Sequence, residues 1–566
     1  MRDIAPPQSV WKGGQVLLLA AVVGFFQLSA KPLIFHRAVL NSASFTPPGV
    51  AGGAIAQGSV FTIFGRDIGP PQWEQVSSFP LRPEFHGVSI QIVQGATVVD
   101  AIPIFVFATQ VNAIMPSDAP LGAVTLRLTF NGEVSNPVPV TVVAHSVGIF
   151  TATGLGFGPA AAQNFISQTE QPINAPAKPA RPGQVMTLWA TGLGPIEGAD
   201  GAPPPVGNLP FEVEITIGDR PVARLDYSGR TPCCAGIDQF VFRIPEDAPE
   251  GCYVPVRVRV QGEAVSNTAT IAIQKDGEPC SEPDNPLMAA ALGGGKVGAV
   301  ALMRTIFDMN LDVLAPATFT VDHAAGYFRQ ETGGEFPFNP LLAFPPANSC
   351  TAYAVKGDVL RGGALPFLPP GRLDAGNLAL SGPAGTAELP AVQTGQGTEY
   401  PAATIGGPQN RPGVPDEPLF LSPGNVRIDA AGGADVGSFA AAKTVAASPD
   451  WTNRSQFSQV DRRQDLVLQW GAPGGGRVVV AGINVDRTRN VSGLFLCVAP
   501  EGATSFRVPA DVLANLPATR PALGEGNGFL AFGSLPDGPP AVFAAPGLSA
   551  GAVIHHTVYA KRVRFR

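Results

Sequence analysis

Three blocks of this sequence recur in the same order at slowly growing separation, and this recurrence limits the fold more than any other feature. The run from Gly58 to Pro70 (GSVFTIFGRDIGP) aligns with Gly183 to Pro195 (GQVMTLWATGLGP). The run from Gln110 to Gly122 (QVNAIMPSDAPLG) aligns with Gln239 to Gly251 (QFVFRIPEDAPEG). Each copy then enters an alternating segment and a Gly-Glu turn that ends in Ser135-Asn136 or Ser266-Asn267, and the offset grows from 125 to 129 to 131 residues. Anchors kept in order at near-constant spacing signify two copies of one structural unit.

The period within each copy is two. Val124, Leu126, Leu128 and Phe130 alternate with Thr125, Arg127 and Thr129; Val254, Val256, Val258 and Val260 alternate with residues that include Arg257 and Arg259. Alternation of this kind predicts half-buried strands, with the valines inward and the arginines outward. The chain holds 66 Gly and 58 Pro in 566 residues, well above the roughly 7% and 5% of ordinary chains, so turns are dense and long helices few. Pro116 to Pro120 and Pro245 to Pro249 fall where a turn must precede a strand. Strands of this length between such turns predict antiparallel sheets packed as sandwiches.

The pattern formed by Gly58 to Pro70, Gln110 to Gly122 and Ser135-Asn136, with its second copy, resembles the IPT/TIG branch of immunoglobulin-like domains. More closely, the segment from Ala38-Val-Leu-Asn-Ser-Ala-Ser-Phe45 to Ile273 resembles the tandem module of uncharacterised secreted proteins of Acidobacteria such as Solibacter. Its most specific stretches are PGQVMTLWATGLGP, ending at Pro195, and CCAGIDQ, beginning at Cys233. The resemblance implies the fold and secretion and brings no activity, ligand or cofactor with it. IPT/TIG relatives that bind DNA use basic loops; this chain has none, and its net charge of -7 lacks the footprint of a nucleic-acid partner.

Arg2 and Lys12 precede an uncharged run from Gly13 to Ala30 that ends in Leu-Ser-Ala, the order of a secretory signal. Cleavage before Lys31 is expected, and an uncleaved anchor is the alternative. No later stretch approaches spanning length, so no membrane span is expected after the signal. The expected location is secreted or in the cell envelope. The divisions expected are residues 1–30 as signal peptide, 31–145 and 146–276 as Ig-like domains, 277–447 as a third β-rich domain and 448–566 as a fourth, sandwich-like one. In this second half Ala317 to Phe328, Asn377 to Leu380, Asn425 to Asp429, Leu466 to Trp470, Arg477 to Val485, Gly493 to Val498 and Val553 to Phe565 read as strands. Residues 284–312 are ambiguous between helix and strand, and Gly395 to Glu417 reads as a long polar loop. The fold class is therefore all-β and multidomain: tandem immunoglobulin-like sandwiches followed by further sandwich-like domains.

Six cysteines, Cys233, Cys234, Cys252, Cys280, Cys350 and Cys497, are an even number in an oxidising compartment and are disulfide candidates. Their spacing lacks the close pairs of a zinc site. A ring between the neighbours Cys233 and Cys234 would be strained, so each is expected to pair with Cys252 or Cys280, leaving Cys350 for Cys497. Gly547 to Gly551 spells G-x-S-x-G, with His555 and His556 downstream, but no acid lies between Ser549 and His555 and the segment alternates like a strand. It is read as a turn, with the two histidines on opposite faces and no shared metal. Leu516 to Arg520 resembles a sortase signal without its apolar tail, and Gly524 to Gly528 lacks the helix of a phosphate site. Asp118 and Glu246-Asp247 belong to the repeated turn. The C-terminal Lys561, Arg562, Arg564 and Arg566 suggest a charged edge strand that discourages sheet-to-sheet pairing.

No catalytic, cofactor or metal residue emerges, and the chain is read as a non-catalytic structural, adhesive or binding scaffold with extracellular polysaccharide or a cell-surface protein as the conceivable partner. Two alternatives lie in residues 284–566. A polysaccharide-active enzyme would use carboxylates such as Asp322 and Asp429. A carbohydrate-binding protein would expose Trp451, Trp470 or Tyr353 to stack on sugar faces, although core packing is the commoner fate of such aromatics.

Overall fold

The computed structural model describes residues 31–282, 285–309, 317–359, 371–408, 416–445, 449–471, 477–519, 528–534 and 540–566. The signal expected in residues 1–30 and most of the Gly524 to Gly528 run lie outside the described residues. Among those described, no helix is long and apolar enough to cross a membrane. The chain is all-β and multidomain, built of β-sandwiches.

The two repeats share a set of equivalent strand pairings. Val60–Arg66 pairs antiparallel with Gln110–Ile114, as Val185–Thr191 does with Asp238–Arg243. Gly122–Phe130 pairs with Val138–Val143, as Gly251–Val260 does with Ala269–Ile273. Each copy also receives a short parallel strand on the same edge, Ile55–Ala56 in the first and Gly158–Pro159 in the second. In the first copy the long strand Thr97–Val106 passes between layers. Its first half pairs with Val88–Gln94, and its second half, after an irregularity at Pro103, pairs with Gln110–Ile114. The alternating residues meet where the pattern requires: Leu126 and Leu128 in one core, Val254, Val256, Val258 and Val260 in the other. The turns also repeat, the Ala119 N–H donating to Pro116 and the Ala248 N–H to Pro245, each at 3.1 Å.

The recurrent Ser-Asn pair has one task in both copies. The Ser135 hydroxyl accepts from the Leu128 N–H and the Ser266 hydroxyl from the Val258 N–H, both at 3.0 Å. The following asparagine bridges to the strand that opens its domain: Asn136 accepts from the N–H of Ile34 and donates to its carbonyl, and Asn267 does the same for Ile149. A side-chain amide can satisfy both backbone groups of one residue, so the pair closes each sandwich where no ladder reaches.

The second half departs from expectation. One continuous sheet runs in the order Ser349–Lys356, Val491–Val498, Val478–Asp486, Gly528–Ser534, Ala550–Phe565, Lys296–Met309, Ala317–Gln330, Gly397–Gly406. It draws strands from both sides of the expected 447/448 division, so that division does not separate two sheets. The C-terminal strand lies inside the sheet, parallel to Lys296–Met309 and antiparallel to Gly528–Ser534, and is not the charged edge expected of it. Lys561 is buried there and pairs with Asp308 at 2.9 Å. Residues Gly397–Gly406, within the expected polar loop, form a strand, while residues 409–415 fall outside the described part.

On one face of this sheet two cores lie side by side. A four-stranded sheet (Leu378–Gly382, Gly385–Leu389, Gly424–Ala430, Phe439–Val445) covers Val300, Leu302 and Val553. The hairpin of Leu466–Gln469 with Ser505–Val508 belongs to a second core that includes Trp451, Trp470, Phe532 and Phe565. The opposite face packs Val297, Ala299 and Ala552 against the helix Pro286–Leu292 and against Tyr253 of the second repeat. That helix is capped by Asn285, whose side chain accepts from the Met288 N–H.

Asn267→Ala removes both bonds to Ile149 and leaves buried backbone groups unpaired, so it should lower stability by about 1–3 kcal/mol. Urea unfolding followed by tryptophan fluorescence, with Trp189 inside the repeat, measures the shift in midpoint.

Candidate functional site

The six cysteines form three disulfides, Cys233–Cys234, Cys252–Cys280 and Cys350–Cys497. The neighbours Cys233 and Cys234 join each other, which corrects the expectation that each would reach Cys252 or Cys280. Their turn holds both sulfurs at the surface beside Thr231, whereas Cys252 lies in a strand facing Cys280 across the junction with the helix. Cys350 and Cys497 stand directly opposite in adjacent strands and close a loop of 147 residues.

The junction between the repeats holds a fully buried ion pair. Arg230 and Asp238 form an ion pair with side chains 1% and 0% exposed. The guanidinium also donates to the carbonyl of Gly58, in the first repeat, at 2.8 Å and to that of Gly194 at 2.5 Å. Asp238 accepts from the Leu193 N–H at 2.7 Å. Burial pulls the Arg230 guanidinium down to about 10, opposed by the charge of Asp200 and by Tyr227, so it stays cationic at neutral pH. Beside it the Val60 N–H donates to Thr191 Oγ1, which in turn donates to the Gly236 carbonyl. Gly58 is a positive-φ residue at +68°, and a Cβ there would run into Arg230 and the Gly194 carbonyl. The recurrent glycine thus permits the close approach on which the arginine depends.

Next to this junction lies a groove of about 550 Å³. Leu81, Ile102, Pro116 and Ile196 form its apolar wall, and Asp100, Asp118 and Asp200 its acidic one. Asp200 is committed to Ser117, accepting from its N–H and its hydroxyl at 2.7 Å each. Asp118 and Asp100 are exposed.

The candidates in residues 284–566 resolve one by one. Asp322 is fully buried and held at 2.8 Å by both the Nε and an Nη of Arg304, and it accepts from the Leu421 N–H at 2.7 Å. Asp429 lies in a different sheet and pairs with Arg427. The structure therefore does not bring the two carboxylates together. Trp451, Trp470 and Tyr353 are buried, contrary to a sugar-stacking role: both tryptophans pack near Phe532, and Tyr353 meets Phe157 edge-on at 5.5 Å. Ser549 sits in the turn before the C-terminal strand, accepting from the Lys296 N–H at 3.1 Å. His555 and His556 point to opposite faces of that strand. The arginines expected outward are partly covered: Arg257 is buried between Asp219 and the Cys350 carbonyl, and Arg259 meets Asp511.

The sequence reading missed a buried polar cluster. Glu331 accepts from the Tyr327 hydroxyl at 2.7 Å and from Asn339, and Asn339 also donates to Tyr327. Burial pushes Glu331 above the usual carboxylate range, against the lowering by these donors, and pushes Tyr327 up as well. No linear motif marks the cluster, since its members come from a strand end and a separate loop.

No family model matches the chain, and no curated protein matches it. Among solved structures it is similar to SGBP-B from a complex xyloglucan utilization locus in Bacteroides uniformis, at 11% identity over 94% of this chain and 99% of that one, with a TM-score of 0.16. It is similar to surface layer protein SbsC, domains 4-9, at 10% identity over 93% and 65%, with a TM-score of 0.18. The Plexin A4 full extracellular region aligns at 13% identity over 45% of this chain, which spans 19% of that one, with a TM-score of 0.16. Likeness at these TM-scores carries no argument about function.

A carboxyl group whose native value is raised stabilises the fold below its unfolded value, and that stability fades as pH rises through the native one. Glu331→Gln should therefore gain in melting temperature relative to the unaltered chain as pH rises from about 4 to 8. A difference that stays flat over this range, by calorimetry in matched buffers, would show that the Glu331 carboxyl is not raised in the folded state.

Proposed function

We propose that this chain is an extracytoplasmic, non-catalytic scaffold, in which two Ig-like repeats (31–145 and 146–276) and one C-terminal unit (277–566) are docked as a rigid body that presents a binding surface. The observation that carries this reading is the inter-repeat junction. A buried guanidinium shared between both repeats, flanked by the Val60–Thr191 bond and by Val60, Ile114 and Ala235 in apolar contact, is poorly suited to a hinge. The buried Arg257 donates to the Cys350 carbonyl of the C-terminal unit, and the partly exposed Arg259 pairs with its Asp511. Three disulfides support an oxidising location.

Extracellular polysaccharide or a cell-surface protein is the proposed class of partner. A carbohydrate-binding role has one specific observation in its favour. Trp73 is 64% exposed and stacks on Phe105 with ring centroids 6.3 Å apart, offering a supported aromatic face on the first repeat. Such a face suits the apolar side of a sugar ring.

The test is a binding screen of residues 31–566 against a polysaccharide panel and intact cells, with reducing sugar assayed in the same wells. Binding without sugar release is expected, and Trp73→Ala should weaken polysaccharide binding roughly tenfold if the aromatic face is used, about 1.4 kcal/mol. Release of sugar by the chain itself would overturn the non-catalytic reading.

A further inference from the structure

Three adjacent strands of the large sheet carry His323, Met303 and His556 in a single row. Met303 is the register partner of His323 on Ala317–Gln330 and of His556 on Ala550–Phe565. Directly opposed residues on neighbouring strands share a face, and strands lie about 4.8 Å apart. Met303 therefore lies in register between two histidines whose backbones are about 10 Å apart, a span across which two imidazoles and a thioether on one face can reach a single ion.

The surroundings of the row are unusual for a core. On one side it is bordered by Ala301 and Ala325, small beside His323 and Met303, and by Ile554 beside His556. On the other side lie Thr305 and Val321, then the stacked pair Phe307 and Phe319. The row opens to solvent at one end, where Thr404 beside His323 is exposed, and sinks to His556 at the other, 8% exposed. The Nδ1 of His556 is buried without a hydrogen-bond partner among the described residues. A desolvated imidazole nitrogen left unpaired is unfavourable, and a bound ion would satisfy it. Asp322 and Arg304 bind each other on the opposite face.

We propose that His323, Met303 and His556 form a three-coordinate site for copper(I). The donor set selects the metal. A thioether is a soft ligand and imidazole an intermediate one, a pairing that suits copper(I). Zinc would require a fourth ligand, with thiolate or carboxylate among the usual donors, and magnesium or calcium an oxygen cage. Among the described residues, no group of three or more His, Cys, Asp or Glu is placed to hold a metal ion. The site lies in the C-terminal unit, away from the groove and from Trp73, and does not depend on the scaffold reading.

The experiment uses the full chain with its disulfides intact, so that no thiol competes. Copper(I) is supplied anaerobically in competition with bathocuproine disulfonate, and metal withheld from the chelator is read by absorbance. One equivalent should be withheld, and both Met303→Leu and His323→Asn should weaken retention roughly tenfold or more with unchanged melting. X-ray absorption of the loaded chain should show one sulfur and two nitrogen neighbours, the sulfur being lost in Met303→Leu. Failure of the unaltered chain to withhold copper, or retention by either variant equal to it, overturns the proposal. If a variant melts lower, the X-ray absorption of the unaltered chain decides: a shell without sulfur overturns the site.

Discussion

The buried Arg230–Asp238 pair is the constraint on which the arrangement of the two repeats depends. Taking both charges out of water roughly offsets their attraction, so the pair adds little net stability compared with an apolar pair of the same shape. Breaking it is another matter, since a lone buried charge costs about 3–5 kcal/mol. The guanidinium reaches a carbonyl in each repeat, so it is satisfied only when both are in place. Its role is therefore selection of one docking geometry, while Val60, Ile114, Ala235 and their partly buried neighbours contribute the apolar attachment.

A second constraint organises the other half. The C-terminal strand enters between Lys296–Met309 and Gly528–Ser534, and the parallel pair it forms joins residues 253 apart, as in Asp308 and Lys561. Neither of the two cores on that face is complete without it, because Val553 belongs to one and Val563 and Phe565 to the other. Between the cores runs a polar seam of Arg304–Asp322 and Asp308 with Lys561 and Arg454. Cys350–Cys497 ties the two outer strands and, in the chain-entropy picture, stabilises by on the order of 5 kcal/mol through the long loop it closes.

What could be read from the sequence was what is local or repeated. The Ser-Asn pairs, the Pro-to-Pro turns and the valine alternation each encode a contact within one unit, so the Ig-like sandwiches and the strands Ala317–Gln330, Gly424–Ala430 and Val491–Val498 were legible. Lys296–Met309 was not. Flanked on both sides and covered on both faces, it shows an apolar run without a two-residue period. Its parallel partner, Ala550–Phe565, lies too far along the chain for any pattern to connect them, and the continuity of the sheet was lost with it. Trp451 and Trp470 lie in the core, the commoner fate of such aromatics, and the sequence left the sugar-platform alternative open because residue type says nothing about which side of a sheet faces water. The Cys233–Cys234 bond was discounted on strain alone, although a turn between two strands can accommodate neighbouring sulfurs. The candidate sites were the least legible part, since the Arg230 junction, the Glu331 cluster and the His323–Met303–His556 row all arise from register between distant segments.

The central claim, that the repeats are docked without a hinge, is tested most directly by amide hydrogen exchange at Val60. Its N–H donates across the junction to Thr191 Oγ1 at 2.8 Å, whereas Ile63, three residues on, is held within the first repeat's own sheet. A rigidly docked pair predicts that Val60 exchanges as slowly as Ile63, both opening only when the repeat unfolds. Fast exchange at Val60 beside a protected Ile63 would show that the repeats separate while each remains folded, and would contradict the account.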